Sequence, residues 1–108
     1  MSEEHLHRAE SAVKTAGNIS AEKKAELLGL LSRLKSAIGD ASQTHTEDAQ
    51  SIARLTAASA REAALKRPNQ LEKALHGLKQ SVDKFEGSHP DLVMAVNKFA
   101  TVLAQMGI

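Results

Sequence analysis

Two stretches near the C-terminus carry large apolar residues at heptad spacing, and this feature constrains the fold more than any other. The first set is Leu71, Leu75, Leu78, Val82 and Phe85, and the second is Leu92, Val96, Phe99, Leu103 and Met106. Heptad spacing is typical of helices that pack side by side. If the chain reverses in the short segment EGSHPD, the two sets align residue by residue, so that Leu78 faces Phe99 and Leu75 faces Leu103. We therefore predict an antiparallel helical hairpin.

The first half of the chain also has apolar residues every three to four positions and lacks runs of β-branched residues. Both features predict helices. A first helix is expected from about Glu4 to Ala16, followed by Gly17 as a left-handed cap. A second helix is expected from the N-cap Ser20 to Gly39. Its apolar seam consists of Leu27, Leu31, Leu34 and Ile38.

An alanine-rich third helix is expected after the polar segment DASQTH. Thr44 and Glu47 have capping-box spacing at its start. Lys66 and Arg67 stand in its expected last turn, where cations complement the helix dipole. Small side chains along this helix allow its neighbours to approach closely.

Pro68 either ends the third helix or kinks it, because proline lacks an amide donor and disfavours helical geometry in the residue before it. The sequence leaves open whether the third and fourth helices are separate. Asn69 and Glu72 have the spacing of a second capping box, which predicts a helix that restarts there.

The chain reversal and the C-terminus also carry capping signals. Gly87 is a candidate C-cap, Ser88 a candidate N-cap, and Pro90 suits the first turn of a helix. The connection between the last two helices is therefore expected at Gly87 to His89. At the end of the chain, Gly107 is expected in a left-handed cap, with Ile108 folded back on the last turn.

Together these elements predict an all-α fold, with about five helices packed as hairpins in a bundle. A length of 108 residues suits one domain over 1–108. We expect an N-terminal helical arm at 1–17, a first hairpin at 20–67 and a second hairpin at 69–107.

Composition argues against several classes of function. The formal net charge of +1 provides no strong field for nucleic acid or an anionic membrane. The two phenylalanines are the only aromatic rings of the Phe, Trp and Tyr class, so stacking platforms for bases are missing. The polar N-terminus lacks the apolar core of a secretory signal, and no segment has the length of a membrane span. We expect a cytoplasmic protein.

Catalytic signatures are also missing from the sequence. There is no cysteine, no glycine-rich phosphate loop, no G-x-S-x-G and no H-E-x-x-H. We expect no enzymatic activity, no cofactor and no small-molecule substrate.

His76 is the one candidate catalytic residue. The segment LHGLKQS resembles the phosphoacceptor site of histidine phosphotransfer domains, with Lys79 as a supporting cation. Helical geometry places His76 about 100° from Leu75, on the solvated side of its helix. That family usually has a glycine four residues after the histidine, where this chain has Gln80. An ordinary surface histidine therefore remains the simpler interpretation, and phosphotransfer the alternative.

The other histidines considered provide no metal site. His89 precedes Pro90 at the reversal and is expected to cap or to pack over the end of the hairpin. His5 and His7 point to nearly opposite sides of a helix, and Glu3 with His7 supplies only two ligands. We predict no bound metal.

The C-terminal segment FEGSHPDLVMAVNKFATVLAQMGI resembles the end of a family of small bacterial proteins known only as a domain of unknown function. Members tend to end in F-E-x-x-H-P-x-L, a helix, and M-G-I. The matching positions are Phe85, Glu86, His89, Pro90, Leu92, Met106, Gly107 and Ile108. The resemblance implies a small helical fold and assigns no site.

Function is therefore expected to depend on association, either with a second copy as a dimer or with a helical partner. Leu28 and Leu30 flank the seam of the second helix, which therefore has more leucine than one neighbouring helix can cover. The third helix offers a face of small residues formed by Ala53, Ala57, Ala60 and Ala64. A partner over these surfaces would bury apolar area that is otherwise wet. The alternative is that the first helix folds over the same surface within one chain.

Overall fold

The computed structural model describes residues 2–106, which form five α-helices. They are α1 (Ser2–Thr15), α2 (Ala21–Ser42), α3 (Thr46–Ala64), α4 (Pro68–Asp83) and α5 (Pro90–Ala104). The described part contains no strand, and the all-α prediction is confirmed. The expected cap at Gly107 and Ile108 lies outside the described residues.

The second helix begins where the sequence predicts and ends later. The Ser20 hydroxyl accepts a hydrogen bond from the Lys23 amide at 3.2 Å, which confirms the N-cap. The predicted end at Gly39 is wrong, because α2 continues to Ser42. The added turn places Ala41 in the core with no exposed surface. Burial of this turn outweighs the low helix propensity of one glycine.

The three other predicted N-caps are wrong. His45 rather than Thr44 precedes α3, and its side chain makes no capping hydrogen bond. Arg67 precedes α4 and His89 precedes α5, so neither Asn69 nor Ser88 is a cap. In α4 and α5 a proline takes the first helical position, where a missing amide hydrogen costs nothing. Pro68 therefore starts a new helix, and α3 and α4 are separate.

The C-terminus of α3 has a left-handed residue that the sequence analysis did not find. Lys66 has φ of 55°, and α3 ends at Ala64, before the predicted last turn at Lys66 and Arg67. The Arg67 amide donates to the Glu62 carbonyl at 3.0 Å, and the Lys66 amide donates to the Ala63 carbonyl at 3.2 Å. This pair of bonds defines a Schellman motif.

Within residues 2–106, two glycines do not take the cap positions expected for them. Gly17 has no left-handed φ, and the C-cap of α4 is Lys84 rather than Gly87, so both predictions are wrong. Helix α1 nevertheless ends at Thr15, close to the expected position. The left-handed turn occurs at a lysine instead, where two backbone hydrogen bonds hold it.

The helices α2, α3, α4 and α5 form a ring in which each contacts the next, and α5 closes back on α2. Short connections between consecutive helices make neighbours antiparallel, as in a four-helix bundle. Helix α1 packs outside this ring, mainly on α3 and also on α2. Helix α3 is therefore the central element, contacted from three sides by α1, α2 and α4, with a small contact to α5.

One continuous core joins all five helices. Phe85 and Phe99 are the largest of its fully buried side chains. Leu78, Val96 and Leu103 have no exposed surface, while Leu75 and Met106 pack against the core and are partly buried. Helices α4 and α5 contact each other as the hairpin prediction requires. The individual pairs, Leu78 with Phe99 and Leu75 with Leu103, stay predictions.

The two hairpins repeat one pattern at an offset of 44 residues, which the sequence analysis missed. Apolar positions 27, 31, 34, 38 and 41 of α2 recur at 71, 75, 78, 82 and 85. The N-caps follow the same offset. His45 has φ −136° and ψ 63°, and His89 has φ −138° and ψ 69°. Both hairpins therefore present a histidine at the same end of the bundle.

Candidate functional site

Three rings meet where the two repeated hairpins turn. The ring centroid of Phe85 lies 5.3 Å from that of His45 and 5.6 Å from that of His89, both in edge-on geometry. The two histidine centroids are 6.4 Å apart. Of the two roles expected for His89, packing fits this geometry, since its side chain makes no capping bond. Nearby, Lys84 and Asp48 form an ion pair of 3.0 Å between the hairpins.

His76 is exposed on α4, as helical geometry predicted. It shares a shallow surface depression with Asn69, Glu72 and Lys73. Lys79 is also exposed, one turn further along the helix. Among the residues that the structure describes, no side chain hydrogen-bonds His76. The other four histidines lie elsewhere, in α1 and at the two hairpin turns.

The structure brings no metal ligands together within residues 2–106. No group of three or more His, Asp or Glu side chains there has the arrangement of a metal site. His5 is half-buried and His7 is exposed on α1. In the same part of the chain, no helix has the length and apolar character needed to cross a membrane.

The surfaces expected to bind a second copy are largely covered within one chain. Leu30 is only 8% exposed, and Leu28 packs against the core. On α3, Ala53 and Ala60 are fully or almost fully buried, because α1 and α4 pack on that helix. These leucines are therefore mostly covered within one chain, and Leu28 keeps part of its surface exposed. The sequence could not show that α3 lies at the centre.

A groove between α2 and α5 remains open to solvent. Two adjoining depressions of about 360 and 690 Å³ form it, and both are lined by Arg33, Met94 and Lys98. We call this surface the α2/α5 groove. It runs from Ala25 to Asp40 along α2, and from Asp91 to Gln105 along α5.

Met94 and Gly29 give the α2/α5 groove its shape. Met94 is 57% exposed, the most of any large apolar side chain in the described chain. Gly29 lines the groove without a side chain, and the space beside it is open, since a Cβ there would meet no heavy atom within 4 Å. Sequence reasoning passed over both residues. The exposure of Met94 could have been predicted from its position. It stands two residues after Leu92, about 200° around the helix, and therefore lies off the heptad seam.

Charge alternates along the α2/α5 groove. Glu26 lies at one end and pairs with Lys23 at 3.3 Å. Arg33 and Lys98 lie in the middle, and Asp40 and Asp91 at the other end. None of these last four makes an ion pair or side-chain hydrogen bond within residues 2–106. Arg33 and Lys98 are thus free to pair with groups from outside the chain.

A family described as a domain of unknown function, DUF4404, matches residues 27–108. The chain belongs to this family. The resemblance seen at the C-terminus is thereby confirmed, and the match extends over α3 as well. No curated protein and no solved structure matches the sequence.

The DUF4404 region begins at Leu27, the first buried residue of α2. It contains the second hairpin, the first hairpin without the start of α2 at 21–26, and all of the α2/α5 groove except Ala25 and Glu26. Helix α1 precedes the DUF4404 region. Since the family has no described function, the geometry of this chain must carry any functional argument.

Proposed function

We propose that the protein acts without catalysis, by self-association of two copies through the α2/α5 groove. The observation that carries this proposal is the self-complementary shape of the groove. Met94 projects from one part, and Ala25 and Gly29 leave a hollow in another. A two-fold interface presents the same patch on both partners, so a projection and a hollow on one surface fit each other.

Charge supports one particular arrangement. If two α2 helices cross antiparallel near Gly29, Glu26 of one copy faces Arg33 of the other, and the reciprocal pair forms as well. Met94 then lies beside Ala25 of the second copy, because Met94 and Arg33 line the same part of the groove. Gly29 at the crossing lets the two backbones approach closely, as small residues do at helix contacts.

Helix α1 supports the idea that this bundle accepts a further helix. It lies against α2 and α3 outside the ring and buries Leu6, Ala9 and Val13 there. The α2/α5 groove is the next one around the ring, and it has no such cover. A helix of the second copy would occupy it in the same manner.

The size of the α2/α5 groove predicts a reversible dimer. Ala25 to Asp40 spans about 22 Å of helix. Two helices of that length bury less than the roughly 800 Å² per partner of a standard stable interface. We therefore expect a dissociation constant in the micromolar range or weaker.

Sedimentation velocity over about 10 to 500 µM tests the proposal. The wild type should move from monomer to dimer across this range. Glu26→Arg and Arg33→Glu should each weaken association at least about tenfold, because like charges then meet twice. The double variant should recover it. Persistent monomer, or a double variant as weak as the single ones, would overturn the proposal.

A second candidate function is phosphotransfer through His76, supported by its exposure and by the exposed Lys79. In this reaction the His76 imidazole takes a phosphoryl group from the aspartyl phosphate of a receiver domain. Incubation with a labelled receiver domain should yield acid-labile label that is lost in His76→Gln and kept in His7→Gln. Absence of label from the wild type rules this candidate out for the receivers used.

A further inference from the structure

A second open groove lies between α1 and α3, on a different part of the surface from the α2/α5 groove. It has a volume of about 520 Å³, and its basic side chains are His5, Arg8, Arg54 and Arg61. Three of the five arginines of the chain therefore line one groove. The lining contains no Asp or Glu. For a chain with a net charge of only +1, this is a strong local concentration of positive charge.

The arginines of α3 have no partners within the described chain. Arg54 and Arg61 are exposed and make no ion pair or side-chain hydrogen bond with residues 2–106. They lie seven positions apart, which is two turns or about 10 Å along one face of α3. A ligand with two anionic groups can therefore reach both.

Helix α1 supplies the opposite wall of this groove. His5 and Arg8 lie one helical turn apart and face the groove from that side. Arg8 pairs with Glu4 at 2.9 Å, but both side chains are more than 60% exposed, at 65% and 63%. Such exposed pairs are weak and exchange readily with other anions. The floor between the two walls consists of small residues, Ala12, Ala57 and Ala58.

The side chains that line the groove determine which groups of a ligand it can bind. Guanidinium groups bind phosphate oxygens through paired hydrogen bonds, with a geometry that also fits carboxylates. No aromatic ring of Phe, Tyr or Trp lines the groove, so it offers no stacking surface for a base. The volume lies within the usual range of small-molecule sites. The groove can therefore bind anionic groups such as phosphates, and it offers no surface for recognition of a base.

We propose that the α1/α3 groove binds a small ligand carrying two or more phosphate groups, recognised through the phosphates alone. Half of the site belongs to α1, which precedes the residues matched by the family. The site therefore extends beyond the family region, while its α3 wall lies within it. It is independent of self-association, because it shares no residue with the α2/α5 groove.

Isothermal titration with tripolyphosphate at low salt tests this proposal. The wild-type chain should bind one equivalent. The double variant Arg54→Gln with Arg61→Gln should bind at least about tenfold more weakly, while Arg33→Gln with Lys98→Gln should bind within about twofold of wild type. The control removes the same two charges from the other groove. All four positions are exposed, and circular dichroism checks that both variants stay folded.

Two further arms identify the source of the phosphates. A nucleoside triphosphate should bind within about threefold of tripolyphosphate, since the base finds no stacking partner. Vesicles carrying phosphoinositide headgroups should bind no more tightly than the free ligand. No binding of tripolyphosphate by the wild type, or an equal loss in both double variants, would refute the site. Much tighter binding of the nucleotide or the vesicles would refute recognition through phosphates alone.

Discussion

Replacing Gly29 or Gly39 by alanine is expected to stabilise the isolated chain. Both glycines lie inside α2, and a Cβ at either position meets no heavy atom within 4 Å. Glycine inside a helix is less favourable than alanine by about 0.5–1 kcal/mol. Each substitution should therefore raise the free energy of unfolding by about that amount. The melting temperature should rise by about 2–8 °C.

The two gains should add, because the sites are ten residues or about 15 Å apart and share no partner. Urea unfolding followed by helical circular dichroism, at a few micromolar protein, measures them on the monomer. Gly77→Ala serves as a comparison, because its Cβ would meet Leu55 side-chain carbons at ordinary contact distances of 3.5 and 3.7 Å. A loss of stability in Gly29→Ala would show that the surroundings of this residue in the chain are not open.

Gly29→Ala and Gly39→Ala should have similar effects on stability but different effects on self-association. At high concentration, Gly29→Ala should weaken self-association several-fold, because a Cβ at the crossing keeps the two backbones apart. Gly39→Ala should leave association unchanged, since this residue is absent from the lining of the groove. Equal effects of the two variants on association would contradict the crossing at Gly29.

Other substitutions test the packing and the helix ends. Lys66→Gly should stabilise the chain by up to about 1 kcal/mol in urea unfolding, because glycine adopts φ of 55° without strain; a loss would contradict the Schellman geometry. Leu78→Ala should lower the free energy of unfolding by about 2–5 kcal/mol in the same measurement. A decrease below about 1 kcal/mol would contradict the full burial of Leu78. A double-mutant cycle on Asp48 and Lys84 should give a coupling below about 1 kcal/mol, because both side chains are partly exposed; a larger value would indicate a shielded pair.

The helices and their buried faces could be predicted from the sequence, because the spacing of apolar residues is a local and periodic pattern. Leu27, Leu34 and Phe99 were placed in the core because apolar side chains at helical spacing define a buried face wherever the helix packs. The existence of five helices follows from the same pattern. The chemistry of proline placed a helix end or a kink at Pro68 and put Pro90 in the first turn of a helix, but it left open whether α3 and α4 are separate.

Helix ends were predicted poorly because several local signals compete there. Thr44 and Asn69 each suit an N-cap in isolation, but the chain starts these helices after His45 and at Pro68. Gly39 suits a helix end, but burial of Ala41 extends α2 past it. Tertiary packing decided between alternatives that looked equal in sequence.

The candidate sites depended on which helices are neighbours, which the sequence did not show. The alanine face of α3 was assigned to a second copy, but α1 and α4 cover it. The groove proposed for self-association lies instead between α2 and α5, which are separated by two helices in the chain. His76 could be placed on the surface correctly, because its exposure depends on only one helix.

Cysteine cross-linking tests the two-fold crossing at Gly29 most directly. The chain has no native cysteine, so a single introduced thiol reports on one position. A disulfide needs Cα atoms about 4.4–6.8 Å apart, which only close contact between two copies provides. On mild oxidation at high concentration, most of Gly29→Cys should become a covalent dimer, whereas Gly39→Cys on the same helix should remain monomeric. Equal cross-linking of the two variants, or none at Gly29→Cys, would contradict self-association through the α2/α5 groove.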